Sequence, residues 1–99
     1  MTSELLALIA THFACADIAD QRMMNVDEVR TCGAVYQQIK IAFVPGVDAR
    51  DFAQLSLQER VAVNKAGFLA FLDWRRAHPE MVRHLESVAR GEVELSRAG

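Results

Sequence analysis

Ser56 followed by Glu59, directly ahead of an apolar-rich run, restricts this chain more than any other feature. In such a capping box the Ser side chain accepts from the Glu backbone N–H, and the Glu carboxylate accepts from the Ser N–H, so a helix must start at Leu57. Nothing breaks it until His78-Pro79, where proline disfavours helix for the residue before it and suits the first position of a new one. The reading is a helix from Leu57 to about Arg76, the third of the chain, and a fourth from Pro79 to about Arg90, ended by Gly91.

The third helix is apolar on two sides. At 100° per residue, Leu57, Val61, Phe68, Leu72 and the neighbouring Leu69 fall on one arc, which is expected to pack the core. Val63, Gly67, Ala70 and Trp74, flanked by Phe71, fall on a second arc of small residues ending in a large aromatic. Four helices offer little material to surround such an element, so the second arc reads as an interface. Gly67 agrees, because a mid-helix Gly costs about 1 kcal/mol against Ala and is tolerated where another backbone comes close. That neighbour is a partner, or Phe13 or Tyr36 of the same chain. Trp74 is the expected anchor, with Arg75 beside it, since aromatics and arginine are enriched at interfaces. Met23 and Met24 join the candidate surface as adaptable thioethers outside a clear core stripe.

Two further helices precede it. One runs from about Glu4 to Cys15, capped by Thr2 or Ser3, with Leu5, Leu8, Ile9 and Phe13 on one side. Asn25 and Glu28 form a capping-box variant for another, which reaches Phe43 or Val44 with Val29, Cys32, Tyr36, Ile39 and Phe43 as its seam, before Pro45 and Gly46 stop it. Residues 16–24 are ambiguous, and 47–55 read as a connector with one helical turn after Asp48. No alternating strand pattern or hairpin turn appears. The expectation is an all-α fold, a compact bundle of about four helices forming one domain over 1–99, dimeric, with a frayed tail over 92–99.

Composition excludes several classes. With 52% hydrophobic and 24% charged residues the chain should be globular, and no run approaches a membrane-spanning length. A net charge of -2 disfavours nucleic acid, although Arg75, Arg76, Arg83 and Arg90 concentrate positive charge late and Asp17, Asp20, Asp27 and Glu28 concentrate negative charge early. The apolar start lacks a preceding Lys or Arg and carries Glu4, so it is not read as a secretory signal, and a cytoplasmic location is expected. Cys15 and Cys32, 17 positions apart, match no metal spacing and are expected as reduced, partly covered thiols.

No residue pattern asks for catalysis. His12, His78 and His84 are scattered with no carboxylate at a ligand spacing. Asp17 with Asp20, and Asp48 with Asp51, stand where capping and the helix dipole explain them. Ser56 is already a cap, and no phosphate-cradling loop, Cys-x-x-Cys or nucleophile elbow is present. The expectation is therefore no enzyme, no metal and no cofactor.

In size, acidity and helical build the chain resembles bacterial antiactivators of transcription factors and phage-encoded inhibitors, a resemblance of type with no family motif behind it. It implies a small regulatory protein that binds and modulates a larger protein partner through helical surfaces. The alternative is a DNA-binding regulator using the third and fourth helices as a helix-turn-helix, with the late arginines on phosphates.

Overall fold

The computed structural model describes residues 1–95. Five helices follow one another: α1 (Ser3–Gln21), α2 (Val26–Ala42), α3 (Ala49–Gln54), α4 (Leu57–Ala77) and α5 (Pro79–Ala89), with no strand among the described residues. The all-α class holds, and the helix beyond the four expected is α3, the single turn foreseen after Asp48, extended to six residues.

Each start has a local cause. Thr2 Oγ1 accepts from the Leu5 N–H at 3.1 Å. Full capping boxes open α2 (Asn25 and Glu28), α3 (Asp48 and Asp51) and α4 (Ser56 and Glu59), satisfying N–H groups that a helix start leaves without intrahelical partners. Pro79 occupies the first turn of α5, where its missing donor costs nothing. Gly46 (φ 78°) and Gly91 (φ 75°) take the left-handed conformation after α2 and α5.

The first helix is longer than expected, because Ala16 and Ala19 continue it through the ambiguous segment to Gln21. Asp17 and Asp20 therefore lie in its C-terminal part and cap nothing, contrary to the sequence reading; Asp17 instead lies within the electrostatic reach of Arg90.

The core is shared by four helices. Leu6, Ile9, Ala10 and Phe13 of α1, Val35 and Ile39 of α2, Phe71 of α4 and Leu85 of α5 are buried together. Cys15 meets Cys32, and the His12 ring stacks on Tyr36 at 4.6 Å, so α1 and α2 run antiparallel across the short 22–25 connection. Gln37 meets Asn64, Lys40 meets Gly67 and Phe43 meets Phe71, so α2 and α4 run parallel. The intervening chain, including α3, carries the return; Arg60 holds it by donating from Nη2 to the Ala53 carbonyl at 2.8 Å with its guanidinium over Phe52.

Two expectations are corrected. Val29, assigned to the seam of α2, is exposed, and Val35 further along the helix takes the buried place. Part of the expected frayed tail is ordered against the fold: Leu95 packs on the core, while residues 96–99 lie outside the described ones.

Candidate protein-docking surface

The two arcs of α4 are interchanged relative to the sequence expectation. Gly67 and Phe71 are buried, and Val63, Ala70 and Trp74 are half-buried, so this arc faces the rest of the chain, with half-buried Arg75 at its border. Its small residues admit α2: a Cβ on Gly67 would fall on the Lys40 carbonyl, 2.7 Å from its carbon and 2.9 Å from the Lys40 Cα. The neighbour that Gly67 accommodates is thus the backbone of α2, and neither a partner nor the Phe13 or Tyr36 side chain.

Rings fill the space beyond. Phe71 lies 5.5 Å from Phe43 and 6.2 Å from Trp74, which reaches on to His78 at 5.5 Å. The Arg75 guanidinium lies 4.9 Å from the Phe13 ring and 5.8 Å from that of Phe71, a cation–π arrangement that closes the seam between α1 and α4. Trp74 and Phe71 therefore act inside the chain, where the sequence reading had placed them outside.

The arc assigned to the core is the one left in water. Leu57 is 78% exposed, Val61 60%, Phe68 40% and Leu69 48%. With half-buried Leu72 they form one stripe along α4, about 22 Å from Leu57 to Leu72 at 1.5 Å per residue. At its C-terminal end the stripe runs into a groove between α4 and α5, lined by apolar Leu72, Pro79 and Val82 and by charged Arg75, Arg76, Arg83 and Glu86. A sequence signal for this orientation existed. The arc of Leu57 and Val61 also carries Gln58, Lys65 and Arg76, whereas Arg60 is the one full charge on the Gly67 arc.

Of the other candidate residues, Met23 is 92% exposed and Met24 half-buried, both in the connection between α1 and α2 and away from the α4 stripe in sequence. Beside them the Arg22 guanidinium pairs with Glu28 at 2.6 Å; that bond and the Asn25 N–H bring the Glu28 carboxyl down to about 2. Glu28 thus holds both a cap and the loop.

The cysteines depart from expectation. Cys15 and Cys32 form a disulfide with Cα atoms 5.9 Å apart, and no free cysteine is present among the described residues. Each lies six positions inside its helix end, so the antiparallel pair brings them level.

His12 is held neutral to lower pH than usual, first by burial and then by Arg75. Burial also raises the Tyr36 phenol. His78 touches Trp74, and His84 stands on α5. Among the described residues no three His, Cys, Asp or Glu side chains gather as a metal site would require, and no helix is long and apolar enough to cross a membrane.

No protein-family model, curated protein or solved structure matches the chain.

Proposed function

We propose that this chain is a small non-enzymatic regulatory protein that binds a larger protein through the outward face of α4, in the manner of an antiactivator or inhibitor. One observation carries the reading: Leu57, Val61, Phe68 and Leu69 stand in water in a single stripe on a helix whose opposite face is closed in the core. Covering such side chains releases about 1.5–3 kcal/mol each when burial is complete, enough for a few of them to hold a complex.

A photo-crosslinking residue at Leu69 should capture one protein in the source cells, and the same residue at exposed Gln21, outside the stripe, should not. Capture at both positions, or at neither, would sink the proposal.

The helix-turn-helix alternative gains less support. The first turn of α5 presents Pro79 and Glu80, with Met81 and Val82 packed on the core, which leaves few side chains to read bases where a recognition helix needs them. For the compartment, the Cys15–Cys32 bond supports an oxidising space in place of the cytoplasm expected from the sequence. Alkylating thiols before cell lysis decides between them.

A further inference from the structure

The charged residues of α4 that share the sector of the exposed stripe are of one sign. On the 0–120° sector that holds Leu57, Val61, Phe68, Leu69 and Leu72, the charged residues are Lys65, Arg76 and, at its edge, Arg75, whose guanidinium turns inward over the Phe13 ring. The two acids of α4, Glu59 and Asp73, project roughly 160–200° from Leu57, outside this sector, although Asp73 reaches back to Arg76 in an exposed ion pair at 3.8 Å. Glu59 is in addition committed to the Ser56 N–H at 2.9 Å. Arg83 adds a further positive charge across the α4–α5 groove, which Glu86 also lines.

From this we infer that the partner presents an amphipathic helix whose apolar stripe is flanked by Asp and Glu, seated along α4 from Leu57 to Leu72 with its acidic side toward Lys65, Arg76 and Arg83. The inference rests on the docking role proposed for α4. It follows from matching: a stripe of about 22 Å accepts about four turns of helix, apolar anchors at i, i+3, i+4 and i+7 meet the Leu and Phe side chains, and carboxylates meet the border. Arginine favours carboxylate partners because its planar fork holds them with two parallel bonds.

A second copy of this chain suits the surface poorly. Two α4 stripes laid antiparallel about their midpoint set Lys65 near Lys65, and laid parallel they set Lys65 and Arg76 beside their own copies. Like charges across an interface disfavour both. The exposed Val26 and Val29 of α2 bracket acidic Asp27 and Glu28 and are followed by Arg30, so they supply no uniformly acidic border either.

The test uses the full chain, isotope-labelled, with two stapled helical peptides of about 18 residues that share one leucine stripe and differ only in flanks of Glu or Lys. The Glu-flanked peptide should move the amide resonances of residues 57–76 and of Arg83, and bind at least tenfold (about 1.4 kcal/mol) more tightly than the Lys-flanked one, with the gap shrinking as salt rises. Phe68→Asp should abolish binding, and Arg76→Glu with Arg83→Glu should remove the preference while leaving helix content unchanged. Equal or tighter binding of the Lys peptide at these amides overturns the acidic partner and leaves the docking role standing. Silence of the α4 amides to both peptides overturns the inference, while the photo-crosslink at Leu69 judges the docking role separately. A chain that sediments at twice 11.0 kDa and becomes monomeric on Phe68→Asp would make a second copy the occupant, and overturns it too.

Discussion

Gly67 of α4 lies directly against the backbone of Lys40 in α2, so near that a single added Cβ would collide with the Lys40 carbonyl. The closest approach of the two parallel helices is therefore set by the absence of one methyl group. Phe71, one turn further along α4, is buried against Phe43 because the axes come together there.

Gly67→Ala should consequently destabilise the fold by about 1–3 kcal/mol, since the atom it meets belongs to helix backbone and cannot rotate away. Gly33→Ala is the control. Gly33 is also inside a helix, α2, exposed, with nothing within 4 Å of an added Cβ, so that change should stabilise by about 0.5–1 kcal/mol. Urea midpoints of the two variants should move in opposite directions; movement in the same direction would mean the Gly67 contact is not limiting.

The interchange of the α4 faces makes a second contrast. Phe71→Ala should cost about 3–5 kcal/mol and Trp74→Ala somewhat less, because the first is fully buried and the second half-covered. Phe68→Ala and Leu69→Ala should stay within about 1 kcal/mol of the parent, as exposed positions do. Thermal unfolding of the four variants measures this directly, and a large loss at Leu69 with none at Phe71 would restore the sequence-based orientation.

The Cys15–Cys32 bond joins α1 to α2 over 17 positions of chain. Closing a loop of that size restricts the unfolded ensemble and should stabilise by about 3 kcal/mol. A reductant, or Cys15→Ser with Cys32→Ser, should lower the unfolding temperature by about 12–24 °C and leave the spectrum of the folded state helical. No shift on reduction would show that the bond is absent in solution.

Local chemistry was legible in the sequence, and relative orientation was not. Asn25 with Glu28 and Ser56 with Glu59 announce helix starts because both members of each box lie within four residues. The facing of α4 depends on which apolar arc α2 approaches, a relation across the chain, and here both arcs are apolar enough to be buried. The disulfide depended on two such facts together, that α1 reaches Gln21 and that it folds back on α2, neither of which a spacing of 17 states. The exposed stripe was hidden for the same reason: Leu57, Val61, Phe68 and Leu69 read as core until Gly67 shows where the core is.

His12 gives the fold a pH dependence whose sign follows from its surroundings. Half-buried, stacked on Tyr36 at 4.6 Å and near Arg75, it is harder to protonate in the folded chain than at its ordinary value of 6.5. Below 6.5 the unfolded chain therefore binds a proton that the folded chain resists, and stability must fall. The contribution is complete above pH 6.5 and is lost as pH drops through that value toward the lowered folded one. Urea midpoints should thus decline between about pH 7 and pH 5.5, ahead of the range in which ordinary carboxylates titrate. His12→Gln keeps a polar side chain of similar size and has no proton to gain, so it should flatten the profile in that window while lowering the overall midpoint through the lost stacking. An equally steep profile in the His12→Gln variant would assign the pH dependence to another group.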